Sequence, residues 1–580
     1  MLLSIIRERF ADAVSGTSPA ADGLLDTIRP AQDPKFGDFQ ANLAMPLAKQ
    51  LGKKPRDVAA EIVSNLKIDD ICQPPEIAGP GFINLRLKDE FIIQELQTAI
   101  TDEERLGIPK VNEPKTFVVD YSGPNVAKPM HVGHLRSTVL GNAVCRLLTF
   151  YGHRVISDNH LGDWGTQFGM IIYGYRNFLD KKAYQENPVE ELSRVYRLVR
   201  QKMDDEPSVA DAVLNETVKL HSGNEENLKI WREVLPYSRD EIDKIYKRLN
   251  ITFDYTLGES FYHPFLAPLV NDLLKCGIAV ETDGAVGIFF EGDDVPMLIR
   301  KKDGAFLYGT TDLATVEYRT KEFKPDVILY ITDFRQDLHF KHLFKAVRLI
   351  NRGTGAAADV ELVHIKFGTV LGEDGKPFKT RSGDTVGLNG LLDEAEAKAL
   401  EVVNTGVGSG TSAAAGKETA RKIGLGAVIY ADLSQNRESD YVFSYDKMLA
   451  MTGNTAAYMQ YAVARVKSIF SKGNIGINEL RAGNSVSRLQ IAEPAERSLA
   501  LELLKFGEAV EASLRDCRPN GLTAYLFELA NKYSTFFEQC PVLKAENETV
   551  KTSRLLLCDL TARTLEKGLN LLGIETVERM

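Results

Sequence analysis

The sequence predicts an α/β and all-α multidomain protein: a doubly wound parallel sheet with insertions, an N-terminal α/β module and a C-terminal helical bundle. Three observations carry this. Strand–helix–strand patterns occur at both ends of one long segment, as two halves of a parallel sheet read in sequence. Residues 450–580 are almost wholly helical by pattern. A length of 580 residues suits three or four domains of roughly 150 residues each. The composition is that of an ordinary globular chain, 44% hydrophobic and 26% charged, which excludes a disordered chain, a collagen-like chain and a disulfide scaffold. Seventy Lys and Arg against eighty Asp and Glu leave a net charge of −10. That argues against a general nucleic-acid coating protein, but not against a local basic face.

Leu2, Leu3, Ile6, Phe10 and Val14 mark one face of an N-terminal helix, and Arg7, Glu8 and Arg9 interrupt it too early for a secretory core. No run approaches the roughly 18 apolar residues of a membrane span, so no membrane association is expected. The six cysteines are scattered without a C-x-x-C pair, which disfavours a thiol-based zinc site and suggests reduced thiols in a cytoplasmic protein. Residues 1–105 form the N-terminal module, with a strand at Gly81–Leu87 and breakers at Pro74-Pro75 and Gly79-Pro80-Gly81. The catalytic domain is expected over 106–395. It begins with a strand at Thr116–Ser122, a helix at Gly133–Tyr151 and a strand at Arg154–Asp158. It resumes with Asp326–Phe334, a helix at Asp337–Ile350 and Val360–Gly368; around 170–300 lies an insertion of helical patterning. A connecting region follows over 396–449, with a flexible excursion at Asn404–Gly416. In the helical domain, 450–580, Leu522, Tyr525, Leu526, Leu529, Tyr533 and Phe536 keep helical spacing, and Gly573 is a good helix C-cap. No internal repeat is present.

Chemistry concentrates in DYSGPNVAKPMHVGHLRST, Asp120–Thr138, which leaves a strand and opens a helix. His131 and His134 share a face there, Gly133 leaves room for a flat ring against the backbone, and the helix N-terminus offers free N–H groups to a phosphate. This suits a nucleoside triphosphate. By itself H-x-x-H is weak and also fits a packed or metal-binding pair. A zinc protease would need Glu after His131, and the nearest P-loop approach, Gly410–Glu418, has its glycines one residue too far apart.

The extended segment resembles the HIGH signature of class I aminoacyl-tRNA synthetases, and specifically that of the arginyl-tRNA synthetase family. GDFQANLAM (Gly37–Met45), GFINLRL, DNHLGDWGTQFG (Asp158–Gly169), DGAFLYGTTDLA (Asp303–Ala314), RQDLHF (Arg335–Phe340) and KPFKTRSGDTVGL (Lys376–Leu388) agree in order, so the resemblance covers essentially the whole chain. It implies a Rossmann-like catalytic domain. It also implies a two-step reaction: L-arginine is activated by ATP to arginyl-adenylate, and the arginyl group passes to the 3′ end of tRNA(Arg), with AMP and pyrophosphate released. Rival readings are another class I synthetase, a small adenylyltransferase, and a catalytically silent tRNA-binding paralogue.

From the resemblance, His131, Gly133 and His134 bind ATP, and the two histidines stabilise the transition state. KPFKTRSG departs from the KMSKS pattern, so Lys379 and Arg381 are assigned to the triphosphate together with Lys128, a compensating lysine counted as catalytic. Asp120 and Asp312 are expected to fork around the arginine guanidinium. Asn125 is expected at the amino-acid end, and Tyr308 and Gln336 complete the pocket. tRNA contacts are expected at Phe36, Phe39 and Gln40 in the N-terminal module, which resembles a tRNA-corner-binding domain, and at Tyr458, Tyr461 and Arg465 in an anticodon-binding bundle. His339 and His342 form a second spaced pair without an evident third ligand, and no metal site is assigned. Mg²⁺ is expected with ATP, needing no protein cage. A monomer is expected.

Overall fold

The computed structural model describes all residues except 16–21, 127, 355–359, 379–386, 407–412, 482 and 579–580. The N-terminal module runs α1 (Leu2–Val14), β1 (Ile28–Pro30), β2 (Phe39–Ala41), α2 (Ala44–Leu51), α3 (Pro55–Asn65), β3 (Glu76–Ala78), β4 (Phe82–Leu85) and α4 (Asp89–Thr101). Its strands form an antiparallel sheet in the order β1-β2-β4-β3. Leu2, Ile6, Phe10 and Val14, spaced for one face of α1, are all buried in this core.

The second unit is a four-stranded parallel sheet. It starts with β5 (Thr116–Asp120), α5 (Val132–Tyr151) and β6 (Arg154–Asp158). Six helices follow: α6 (Thr166–Phe178), α7 (Lys181–Glu186), α8 (Pro188–Asp205), α9 (Pro207–His221), α10 (Glu225–Arg248) and α11 (Glu259–Lys275). Then come β7 (Ala279–Thr282), β8 (Ala285–Ile288), β9 (Met297–Arg300), α12 (Tyr308–Phe323), β10 (Val327–Asp333), α13 (Asp337–Thr354), β11 (Glu361–Phe367) and β12 (Val370–Leu371). The sheet order is β11-β10-β5-β6, so the two strand–helix–strand patterns of the sequence meet along β10 and β5. Asp120 pairs in register with Asp158 on one side and Tyr330 on the other, which gathers three functional groups at the carboxyl end of the sheet. β10 is buried over Val327–Ile331 and β5 at Val118 and Val119, with no exposed residue in either strand, as a sheet covered on both faces requires. The insertion is not wholly helical: β7, β8 and β9 form a separate antiparallel sheet.

The connecting region holds α14 (Leu388–Gly406) and α15 (Ala413–Leu433), which pack on each other, and β13 (Tyr441–Val442), which pairs in parallel with β12. Residues 404–406 and 413–416, expected in a flexible excursion, therefore belong to helices; alanine at 413–415 favours that state. The connecting region ends with α16 (Tyr445–Met448), and the bundle comprises α17 (Ala456–Gly473), α18 (Ile477–Arg481), α19 (Pro494–Leu503), α20 (Phe506–Arg515), α21 (Asn520–Gln539) and α22 (Glu548–Leu571). α22 is buried along most of its length, and beyond its C-cap Leu572 the chain turns at Gly573, whose φ of 80° is the left-handed helix stop the sequence suggested. Among the described residues no helix is long and apolar enough to cross a membrane.

Candidate active site at the carboxyl end of the parallel sheet

The chain leaves β5 through Ser122 (φ 73°) and Gly123 (φ 51°), two successive left-handed residues that swing it across the sheet end. Ser122 is held from three sides: its N–H donates to Ser137 Oγ, and its hydroxyl shares 2.8 Å hydrogen bonds with Thr138 Oγ1 and Tyr246 Oη. Ser137 donates in turn to the Ile331 carbonyl on β10, 2.6 Å away. The last residues of the signature thus fix its first ones.

His131 caps α5. Its Nδ1 accepts from the Gly133 N–H at 3.1 Å, and His134 Nδ1 accepts from the His131 N–H at 3.1 Å, a reciprocal box. A nitrogen that accepts carries no proton, so in both rings the proton of the neutral form is on Nε2, available to donate outward. The rings lie 4.0 Å apart between centroids. Burial, followed by the neighbouring charge of His131, lowers the His134 imidazole to about 3; burial and Lys128 lower His131 as well. Both are therefore neutral donors at the positive end of a helix dipole. A Cβ on Gly133 would come within 2.9 Å of the His131 ring, so the space this glycine leaves is occupied by the signature's own imidazole. Lys128 is exposed on the loop before α5, its ammonium 5.9 Å from the Tyr196 ring centroid. Lys379 and Arg381 lie outside the described residues. The chain beyond them returns at Gly387, bridged to His131, and Leu388 donates to the Met130 carbonyl at 2.9 Å.

Asp120 has an internal partner that the motif does not reveal. Its Oδ2 takes a 2.7 Å hydrogen bond from Arg319, which also binds Asp158 through Nε at 2.9 Å and Nη2 at 2.8 Å. Arg319 is 0% exposed. Burial alone would lower its pKa, but the two carboxylates more than reverse this and hold it above the ordinary value. One oxygen of Asp120 is thus committed to an internal arginine.

Asp312 lies one turn inside α12, whose N-cap is Leu307, and its Oδ2 is 2.5 Å from His339 Nε2 on α13. Burial opposes charge on His339, but the Asp312 hydrogen bond and charge win, and its pKa is raised. Glu259, which no sequence motif singled out, opens α11 close by. Burial, the charges of Asp163 and Asp312, and the opposing pull of His160 leave its carboxyl pushed up to about 7. Asp163 of the GDWG segment orients this helix start, accepting from the Ser260 N–H at 2.8 Å and its hydroxyl at 2.7 Å. Tyr308, first residue of α12, is 74% exposed; burial of its hydroxyl and the charge of Glu259 raise its pKa. Gln336 is exposed in the turn before α13. Asn125 accepts from Gln167 Nε2 at 3.1 Å, and a Cβ on Gly162 would meet its Oδ1 at 2.3 Å. His342 turns instead toward Asp293, 3.6 Å away, and the Phe290 ring.

The expected tRNA contacts divide. Phe36 is exposed, but Phe39 is 2% exposed, because alternation along β2 turns Phe39 and Ala41 into the module's core and Gln40 away from it, so the Phe39 ring is not presented at the surface. Gln40 bonds Asn84 across the sheet at 2.8 Å. In the bundle, Tyr461 and Arg465 of α17 line an open groove of about 1080 Å³ with Lys472, Phe537, Leu543 and Lys544, and the Arg465 guanidinium stacks 4.2 Å from the Phe537 centroid. Tyr458 is half-buried, its hydroxyl 3.3 Å from Asn531.

Residues 95–445 match the family model described as tRNA synthetases class I (R), catalytic domain; 4–87 match the arginyl tRNA synthetase N terminal domain, and 459–580 the DALR anticodon binding domain. A parallel sheet with an imidazole-capped first helix, covered by such a model, defines a class I aminoacyl-tRNA synthetase, an enzyme class that uses ATP. The arginine–tRNA ligase of Rhodopirellula baltica is 44% identical with both chains covered in full, and that of Vibrio parahaemolyticus is 42% identical over 100% of this chain and 99% of its own. The arginyl-tRNA synthetase structure from Plasmodium falciparum superposes with a TM-score of 0.82 at 29% identity, covering 100% of this chain and 99% of that one. The one from Thermus thermophilus gives 0.83 at 24% identity, a likeness of fold. The chain belongs to the arginyl-tRNA synthetase family, and its reaction is the attachment of arginine to tRNA(Arg).

Proposed function

We propose the following assignment of residues to arginine activation and transfer. The Nε2–H groups of His131 and His134 donate to the ATP phosphates as charge builds on them, with the α5 N-terminus behind them and Lys128, Lys379 and Arg381 supplying fixed positive charge. Gly133 permits this by leaving the His131 ring in its capping pose. Mg²⁺ travels with the triphosphate, where it would neutralise phosphate charge; among the described residues no group of three or more His, Cys, Asp or Glu side chains is arranged to hold a metal.

The guanidinium is gripped by Asp312 and Glu259 rather than by Asp312 and Asp120. The observation that carries this is a buried acid near Asp312: the Glu259 carboxyl is pushed up to about 7 chiefly by burial, with the like charges of Asp163 and Asp312 adding to it, and a bound cation would relieve that cost. Tyr308 offers its ring to the guanidinium plane, with Gln336 beside the pocket. Asp120, steadied by Arg319, and Asn125 face the amino-acid end. Residues 1–105 touch the tRNA corner through Phe36 and Gln40, the sheet domain 106–395 performs the chemistry, 396–449 connects, and 450–580 read the anticodon at the groove of Tyr461 and Arg465, with Tyr458 bracing it. The enzyme acts as a monomer in the cytoplasm; its six unpaired cysteines fit a reducing compartment.

ATP–pyrophosphate exchange with each amino acid, with and without tRNA(Arg), tests this. Exchange is expected only with arginine and tRNA(Arg) together; turnover of another amino acid would sink the reading. Asp312→Asn and Glu259→Gln should each raise the arginine KM by about 30-fold, the loss of one charged hydrogen bond worth ~2 kcal/mol. An unchanged KM in either variant refutes that residue's assignment.

A further inference from the structure

Two residues beyond His134 on α5, and so on the opposite side of the helix, lies Arg136. It is 1% exposed. Its Nε is 3.1 Å from Asp432 Oδ2 on α15, itself 4% exposed, and Nη1 donates to the Ser439 carbonyl at 3.1 Å. The guanidinium also lies over the Tyr441 ring of β13, 5.1 Å from its centroid, and 5.8 Å from that of Phe367 at the end of β11. The same stretch clamps the chain as it leaves the sheet: Arg437 donates to the Lys366 carbonyl at 2.6 Å, Gly368 to the Arg437 carbonyl at 2.9 Å, and Thr369 to Asp440 Oδ1 at 2.6 Å. One buried guanidinium therefore joins the histidine-bearing helix to the connecting helix and to the strand pair β12–β13.

As a source of stability this is a poor arrangement. The Arg136–Asp432 contact is a close ion pair without an aligned hydrogen bond, and Arg136 Nη2 has no hydrogen-bond partner. Charges taken out of water and incompletely paired are commonly no more stabilising than apolar side chains of the same volume. What such a pair does supply is a fixed distance and orientation.

We propose that Arg136 and Asp432 are positioning residues for the activation step, setting the first turn of α5 so that the His131 and His134 Nε2–H groups meet the phosphates as charge develops. This rests on the assignment of those histidines to ATP. The test compares Arg136→Met/Asp432→Leu, which removes both charges and fills the space, with Arg136→Lys and with His134→Ala, in the full chain with arginine and tRNA(Arg). The double variant should keep a Tm near that of the unmodified protein while the kcat of exchange falls about tenfold or more, with the ATP KM changed less than about twofold, as expected when groups are misplaced by under an ångström. Adding His134→Ala to it should slow exchange no further than His134→Ala alone. If the double variant does not fold, Arg136→Lys, which keeps the charge but loses the reach to Ser439, carries the same expectation. Full exchange in the double variant or in Arg136→Lys, or strictly additive losses with His134→Ala, overturns the positioning role. Full exchange in His134→Ala would instead overturn the histidine assignment on which it rests.

Discussion

In the proposed assignment the substrate guanidinium and His339 share the Asp312 carboxylate, and a charged His339 competes for it, which sets a pH dependence. The folded-state pKa of His339 is raised, so the stabilisation from the pair is fully present below the ordinary imidazole value of about 6.5 and lost as pH rises through the folded value. In the same window Asp312 is released from a cationic partner, and the Glu259 carboxyl ionises near 7. Both changes favour a guanidinium, so the arginine KM should fall as pH rises from 6 toward 8 and then level off. In His339→Asn only a shallower step near 7 should remain, and Glu259→Gln should remove that one; a KM that climbs with pH would refute the competition. Residue roles were unevenly legible in the sequence. The imidazole pair stands out because a capping geometry compresses it into four residues. Asp120 does not reveal its partner, because Arg319 lies 199 residues away on α12 and meets it only in the tertiary fold. Glu259 carries no local signature: its significance comes from burial and from two acids distant in sequence, Asp312 across the packing of α11 on α12 and Asp163, which binds the start of α11 through Ser260.

Among elements, α5 concentrates the most function in the least length, and Gly133 tests how. Elsewhere in a helix Gly→Ala would stabilise by about 1 kcal/mol. Here the new Cβ would push the His131 ring out of its cap, at a cost of about the same size, so Tm should change little. Activation should nevertheless slow at least tenfold, because a displaced imidazole no longer presents Nε2–H at the helix end. Calorimetry together with pyrophosphate exchange checks both halves, and an active Gly133→Ala enzyme would show that the capping pose is dispensable. Long periodic elements were readable: α1, α5, β6 and α21 fall within a few residues of where apolar spacing places them. The sheet β7–β8–β9 was not. Its strands are four residues each and carry Glu281, Thr282 and Gly287, too short and mixed for alternation to declare itself. The legible signal there is the Asp283-Gly284 turn, with φ of 52° and 80°, suited to a tight hairpin.

Over the whole molecule, a net charge of −10 must coexist with a surface that holds an RNA, and the basic side chains are not all free to do so. Lys467 is spent on Glu566 and Glu578, at 2.5 and 2.8 Å, which leaves Arg465, Lys472 and Lys544 as the positive side of the bundle groove. Arg497 has a different task. It clasps both oxygens of Asp38 at 2.8 Å and reaches Asp89 at 2.8 Å and the Leu87 carbonyl at 2.9 Å, strapping the N-terminal module onto α19. Asp38 lies within the GDFQAN segment that the sequence suggests as a tRNA patch; in the structure that segment also supplies an anchor between the module and α19. If the module and the bundle hold one tRNA between them, their separation must be fixed before binding, and freeing the module converts a prepaid geometry into an entropic cost at the moment of binding. Arg497→Ala should therefore destabilise the fold by about 2–4 kcal/mol, since it leaves Asp38 buried without its partner. It should also speed proteolytic release of residues 1–105 and raise the tRNA KM about tenfold, with the arginine KM unchanged. Log Kd for tRNA should rise linearly with log salt in both proteins and with the same slope, because the phosphate contacts are retained and only their preorganisation is lost. A shallower slope in Arg497→Ala would mean that the strap acts through contacts with the RNA, and an unchanged tRNA KM would mean that the module and the bundle do not bind it together.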